Sequence, residues 1–351
     1  MFGPGNGEAI AVHLGAGDWI VIDSCVDGRT GENALLRYFS EMGIDMSQSV
    51  RRVVATHAHD DHMAGMSDVV AACSNALFVW SSALSAEEFF SLAELQRDSI
   101  HIRPTIIAEY TKVVEILKSR ATSGAADYPY INAIQTREIF SRDATATIPA
   151  ARVVCLSPSD AAVDRSRKYV AKVLRYNLDG KGQRIPRDDP NAYSIALWIQ
   201  VGDAVCILGS DLTKGPGPFC GWNAVVGITP RYPPASLYKV AHHGSKYSIH
   251  PRIWQDLLEP DSLAVLAPKG GKKGVPDAGE LEVLAQLSAA VYLTAAPSLH
   301  ATSRSVKKAA AELNNLATGV TEEGLAGHVR LRRDVPGQHW SVDTWHPARQ
   351  I

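Results

Sequence analysis

The chain has 351 residues, 46% hydrophobic and 21% charged, which excludes a disordered tail, a coiled coil and a collagen-like repeat. Its 35 basic and 37 acidic side chains leave a formal charge of −2, so any nucleic-acid site must be a local basic patch. No apolar run approaches the ~20 residues of a membrane span, and the first residues lack the basic start and apolar core of a signal peptide. Cys25, Cys73, Cys155, Cys206 and Cys220 are far apart with no Cys-x-x-Cys pair, so the expectation is a cytoplasmic protein with buried, reduced thiols.

The opening predicts two strands, Glu8–Leu14 and Asp18–Asp23, joined by a Gly15-Ala16-Gly17 turn. A helix follows around 31–42, with Ala34, Leu35, Tyr38, Phe39 and Met42 at helical spacing. A short buried strand, Arg52–Thr56, runs straight into a cluster of histidines. A helix after Gly65 and a strand at Ala76–Trp80 continue the α/β alternation. Residues 82–148 break it: Ser85 opens a capping box, and a second helical pattern over 104–120 puts Ile106, Tyr110, Val113, Val114 and Leu117 on one stripe. This segment reads as a helical insertion in a single domain spanning 1–351. The core resumes at Ala151–Leu156, then a hairpin, Tyr193–Val201 and Ala204–Leu208. Strands at Ser236–Ala241, Leu263–Leu266 and Ala290–Leu293 alternate with helices around 253–258 and 279–287. An amphipathic helix at Ser303–Leu316 and two terminal strands, His328–Arg332 and His339–Val342, complete the pattern.

The strongest chemical signal is His57-Ala58-His59-Asp60-Asp61-His62, placed where a buried strand gives way to a helix. Neutral imidazoles and carboxylates together suit Zn²⁺, with Mn²⁺ as a harder alternative. Loops at strand ends are where α/β sheets present ligands. Two further strand ends carry donor residues: Ile207-Leu208-Gly209-Ser210-Asp211 and Tyr238-Lys239-Val240-Ala241-His242-His243-Gly244-Ser245. A carboxylate shared by two ions is the usual two-metal geometry. Parity does not say which of His242 and His243 ligates, since neighbours on a strand point to opposite sides. The Ser305-x-x-Lys308 pattern falls inside the last amphipathic helix and is discounted; no phosphate-binding or dinucleotide-binding glycine motif is present.

In this order, His57–His62, Asp211 and His242 resemble the metallo-β-lactamase fold superfamily, most closely the nuclease-like domain of ComEC-type competence proteins. The likeness extends to Gly5-Asn6-Gly7-Glu8, Ile20–Asp23, Asn191-Ala192-Tyr193-Ser194-Ile195-Ala196-Leu197, Leu208–Asp211 and Tyr238–Ser245, covering most of 5–60 and 150–300 but not the insertion. It implies an αββα sandwich and one or two divalent ions on His57, His59, Asp61, His62, Asp211 and His242. By the same resemblance Asp23 supports the metal loop by hydrogen bonds, with Asn191 and Ser194 alongside, and His243 either supports the ligands or donates a proton. Dinuclear members usually add a histidine after the next strand; Leu156–Asp160 has none, which leaves Asp160 as a substitute and His101 far off in the insertion.

The implied activity is hydrolysis by metal-activated hydroxide, with Asp61 and His243 as catalytic groups. The best clue to substrate is charge. Between 165 and 187 lie Arg165, Arg167, Lys168, Lys172, Arg175, Lys181, Arg184 and Arg187 against Asp179 alone, with Tyr169 and Tyr176 able to stack on bases. Arg165, Arg167, Lys168, Lys172 and Ser245 are therefore read as substrate contacts, and Lys269, Lys272 and Lys273 as a further basic loop. The leading expectation is a phosphodiesterase acting on DNA or RNA. The alternatives are a hydrolase of a small ester, lactone, lactam or thioester, and a metal-binding subunit of a larger assembly with little catalysis.

Overall fold

The computed structural model describes residues 1–3, 7–27, 30–83, 104–122, 129–178, 189–227, 232–269, 274–295 and 327–351. Two sheets face each other. The first has five strands in the order Ile10–His13, Trp19–Ile22, Val50–Ala55, Leu77–Ser81 and Tyr130–Ala133. The second has eight: Arg349–Gln350, Ala290–Leu293, Leu258–Leu266, Ala235–Lys239, Ala204–Leu208, Leu197–Val201, Ala151–Cys155 and Glu138–Arg142.

Successive side chains on a strand point to opposite faces, so strands covered on both sides read as continuous apolar runs. Ile20, Ile22, Val54 and Val79 turn inward and meet Val153, Cys155, Leu197, Ile199, Cys206, Leu208, Leu237 and Val265 of the second sheet. Their neighbours Val21, Val53, Ala55, Phe78 and Trp80 face outward, under helices Ala34–Glu41, Met66–Ala72 and Pro104–Thr122. On the far side Val154, Trp198, Val205, Ile207 and Tyr238 lie under helices Gly221–Gly227, Pro251–Asp256 and Ala278–Leu287. The architecture is an αββα sandwich.

The region 82–148 is more deeply built into this sandwich than its sequence suggests. Helix Pro104–Thr122 buries Ile106, Tyr110, Val113 and Leu117, the stripe expected from spacing, in the outer core of the first sheet. Tyr130–Ala133 then joins the edge of the first sheet, and Glu138–Arg142 the edge of the second. The core therefore resumes at Tyr130 and not at Ala151. The helix opened by Ser85, His101, and the Ser303–Leu316 helix with Ser305 and Lys308 lie outside the described residues. A three-stranded sheet of Phe2–Gly3, Gly327–Arg332 and Ser341–Trp345 was not expected from sequence, because its first strand is only two residues long. All five cysteines are free and buried, and burial pushes the thiols of Cys25, Cys73, Cys155 and Cys206 up to about 12. No described helix is long and apolar enough to cross a membrane.

The sandwich brings the chemistry to one edge. Trp19–Ile22 and Val50–Ala55 run parallel, so Asp23 and Thr56 emerge side by side. Ala204–Leu208, Ala235–Lys239 and Leu258–Leu266 are also parallel, so Asp211, His242, His243 and Lys269 emerge together from the second sheet. Carboxyl ends of parallel strands are where open α/β sheets hold ligands.

Candidate metal centre

The His57–His62 loop is fixed from both sides. After Thr56 the chain turns into a single helical turn, Asp60–Met63. The Glu8 amide donates to Asp61 O (3.0 Å) and the Ser24 amide to His62 O (2.9 Å). Gly7 permits this approach: a Cβ there would stand 2.8 Å from Asp61 O.

Asp211, 0% exposed, stands among the residues that these strand ends bring together. Its Oδ2 lies 3.4 Å from His62 Nε2, 3.4 Å from His243 Nε2 and 3.9 Å from His57 Nε2. Asp61 Oδ2 lies 3.2 Å from His243 Nε2 and 3.9 Å from His62 Nε2. Two donor sets share Asp211, namely Asp61, His62, Asp211 and His243, and His57, His59 and Asp211; a third grouping, Glu8, Asp23 and His62, adjoins them through His62.

Hydrogen bonds behind the imidazoles set which nitrogen faces inward. Asp23 Oδ1 accepts from the Thr56 amide, and its Oδ2 accepts from Thr56 Oγ1 (2.8 Å) and His62 Nδ1 (2.7 Å). The Thr56 hydroxyl has thus given its hydrogen away and can only accept from His57 Nδ1 (3.1 Å), which leaves His57 Nε2 with its lone pair. A carbonyl also only accepts, so Ala267 O holds the hydrogen of His243 Nδ1 (2.8 Å) and turns Nε2 toward the carboxylates. This is how supporting groups orient metal-ligating histidines.

In the second set His57 Nε2 and His59 Nδ1 share a hydrogen bond (3.0 Å), but the inward atoms of the first set are not satisfied by one another. Asp211 Oδ1 and Oδ2, His62 Nε2 and His243 Nε2 are buried and make no hydrogen bond. Buried polar atoms are normally paired, and here the orphans are imidazole nitrogens and a carboxylate aimed at common points. That donor set fits a divalent transition metal.

Charge tells the same story. Burial opposes ionisation of Asp211, but His243 and His62 outweigh it and hold its carboxyl well below the ordinary range. Burial likewise opposes the charged form of Asp61, and His62, His243 and Lys269 overcome it. Conversely, burial disfavours a charged His62, yet Asp211, Asp23 and Asp61 hold its pKa well above the usual value. His243 is raised to about 9, against burial, chiefly by Asp211. His57 is driven well down by burial and then by His62 and His59. The carboxylates thus favour positive charge at His62 and His243, the two imidazoles nearest Asp211.

The backbone is strained where these residues emerge. Four of the six non-glycine residues with positive φ among the described residues are Asp23 (58°), Ser210 (46°), His242 (50°) and His243 (56°). Such conformations cost about 1–3 kcal/mol each and persist only when the surroundings enforce them. One enforcer is Lys239, 0% exposed, which pairs with buried Glu8 and donates to Ser210 O (2.8 Å). Gly209 packs against the same strand end, where a Cβ would stand 2.9 Å from Lys239 O. Removing one partner of a buried ion pair costs about 3–5 kcal/mol, whereas apolar replacement of both is near neutral. Lys239→Ala should therefore lower the stability measured by denaturant unfolding by that amount, and Lys239→Met combined with Glu8→Met should recover most of it.

His242 stands outside both donor sets; its Nε2 lies 3.2 Å from Asn191 Nδ2 and its buried Nδ1 makes no hydrogen bond. The resemblance implies His242 as a ligand, whereas the geometry brings His243 Nε2 among the donor atoms; both residues have positive φ. Ser194 Oγ donates to Asn191 O (2.9 Å) and so holds the Pro190–Tyr193 turn. Ser245 is buried, and its Oγ accepts from the Tyr247 amide (3.4 Å), which makes it part of the turn's own framework. Asp160 is exposed at the start of helix Asp160–Leu178 and belongs to neither donor set. Arg165, Arg167, Lys168 and Lys172 are exposed on that helix, and Lys168 pairs with Asp164 (2.5 Å). The helix buries Ala162 and Val163 against Ala192 and Tyr193, next to Asn191. Lys181, Arg184, Arg187, Lys272 and Lys273 lie outside the described residues, as do the side chains of Arg175 and Tyr176. Sequence assigns no role to Thr56, Lys239 or Ala267 and reads Lys269 only as part of a basic loop; of the first three, Thr56 alone carries a signal, as a hydroxyl immediately before His57.

No protein-family model matches the chain, and no curated protein does. Among solved structures, a mutant of CmlA beta-hydroxylase is similar in part, at 11% identity and a TM-score of 0.30 over 66% of this chain and 34% of that one. Human tRNase Z, short form, is similar at 11% identity and a TM-score of 0.31 over 68% of this chain and 75% of that one. The chain spans about a third of the hydroxylase's length. Likenesses this distant say nothing about substrate.

Proposed function

We propose that the chain is a metal-dependent phosphodiesterase that cuts DNA or RNA. One divalent ion, zinc by donor type with manganese as the harder alternative, is assigned to Asp61, His62, Asp211 and His243, and a second to His57, His59 and Asp211. The observation that carries the assignment is the fully buried Asp211 carboxylate, which makes no hydrogen bond and stands between the two sets. Bound there, divalent ions supply Lewis acidity and a water that ionises near neutrality. Asp23 and Thr56 keep His62 and His57 in the tautomers that present Nε2. Ala267 does the same for His243. Asp61, the more open of the two carboxylates, would orient the attacking water by accepting a hydrogen bond from it, the proton passing to solvent, and solvent protonates the leaving oxygen.

The exposed basic residues of helix Asp160–Leu178 support nucleic acid as substrate, since that helix packs on the turn that presents Asn191 to His242. Each phosphate contact makes log affinity fall with log salt by about 0.7 on a single strand. Replacing Arg165, Arg167 and Lys168 together by glutamine should weaken nucleic-acid binding and flatten that slope by about 2 for three contacts. Metal content should stay at the parent's value, and hydrolysis of bis-p-nitrophenyl phosphate should fall far less than nucleic-acid cleavage. A triple variant that cuts nucleic acid like the parent at every salt concentration would leave the helix without a role in substrate binding.

A further inference from the structure

Lys269 reaches the donor sets from the solvent side. Its Nζ lies 2.5 Å from Asp61 Oδ2, and its side chain is 40% exposed where that of Asp61 is 8%. The backbone behind it is fixed: the Lys269 amide donates to Val275 O (2.8 Å) and the Val275 amide to Lys269 O (3.0 Å). Two residues earlier on the same segment, Ala267 O holds His243 Nδ1. One short stretch thus orients a donor histidine and carries an ammonium to the rim of the centre.

A half-exposed ion pair adds little to stability, so the fold alone gives no reason for this placement. An ammonium has three hydrogens to donate. Asp61 takes one, and two remain for a second acceptor. With both donor sets filled, Asp61, Asp211 and the Asp23 carboxylate behind His62 face two divalent ions and this ammonium, so the centre still carries surplus positive charge. The group that completes such a site is an anion, and a positive group fixed beside a metal centre stabilises charge gathering on substrate oxygen.

We infer that Lys269 and the metal centre together form an oxyanion subsite that takes a non-bridging phosphoryl oxygen of the substrate. The phosphoryl identity rests on the phosphodiesterase reading above; the anion subsite rests on the position of Lys269 itself. Lys269 is then a catalytic residue, touching the group under attack.

Inorganic phosphate is the probe, titrated by calorimetry into metal-loaded parent, Lys269→Ala and Lys269→Arg proteins, with metal content measured on the same samples. Lys269→Ala should weaken phosphate binding at least about tenfold while keeping the parent's metal content, since hydrogen bonds to charged groups are among the stronger ones. Lys269→Arg, which keeps the charge, should recover most of the affinity. Equal phosphate affinity in parent and Lys269→Ala would overturn the subsite. So would a loss of metal in step with the loss of phosphate, because Lys269 would then act only by holding Asp61. If phosphate binding weakens as expected but the parent cuts no nucleic acid and no small diester, the subsite stands and the phosphodiesterase reading falls. If the parent cuts nucleic acid but Lys269→Ala binds phosphate unchanged, the reverse holds.

Discussion

Asp211→Asn is expected to lower phosphodiester hydrolysis at least about a thousandfold, equivalent to roughly 4 kcal/mol of barrier, and to strip metal from both donor sets. The substitution barely changes volume, so packing is not the cause. It removes the one carboxylate that both sets share, 3.4 Å from His62 and His243 and 3.9 Å from His57. It also leaves His62 and His243 without the neighbour that does most to hold them charged. Elemental analysis beside kcat/KM on a small diester would measure both effects. Asp160→Asn is the matched control: Asp160 is exposed and outside both sets, so neither metal nor activity should move. An Asp211→Asn protein that keeps two ions would contradict the assignment.

Metal binding should release protons and tighten steeply as pH rises from about 7 to about 9. Ligating imidazoles must be deprotonated at the metal-facing nitrogen. In the metal-free chain His243 holds its proton up to about 9, and His62 is also held well above its ordinary value. Below those values a metal competes with two protons, and each adds up to about a tenfold change in affinity per pH unit. The stability of the metal-free chain runs the other way. These folded pKa values lie above the unfolded histidine's ~6.5, so their stabilising contribution is complete below that pH and is lost as pH climbs through about 9. Calorimetric titration of metal in buffers of different ionisation enthalpy counts the protons released, and melting of the chelator-treated protein at both ends of the range checks the opposing trend. Affinity independent of pH would show that the two histidines are not where the metal binds.

Much of the site can be read from sequence because its residues sit at strand ends. A buried apolar run ending in His57–His62, another ending at Asp211 and a third ending in two histidines place donors at one edge of an α/β sandwich. The choice between His242 and His243 is not legible. Both residues adopt positive φ, so the alternation that governs a strand stops at Val240 and Ala241, and the hydrogen bond that turns His243 inward comes from a carbonyl, which no side-chain pattern records. Charge compensation is equally hidden: Glu8 and Lys239 meet only in the folded chain. The strands at Tyr130–Ala133 and Glu138–Arg142 escape notice because they are short, lie at sheet edges and include exposed or half-buried Tyr130, Asn132, Glu138, Ser141 and Arg142, which blur any apolar period. The basic stretch after Asp160 reads as charge, yet Val163, Ser166 and Val170 lie three to four residues apart and form the buried face of a helix.

The most direct test of a two-metal centre built on Asp211 is anomalous X-ray diffraction from crystals of the metal-saturated protein, recorded at the absorption edge of the bound metal. Two peaks about 3.5–4 Å apart are expected, one against His57 and His59, the other against Asp61, His62 and His243, with Asp211 between them. No peak among these side chains, or a single ion that does not touch Asp211, would contradict it.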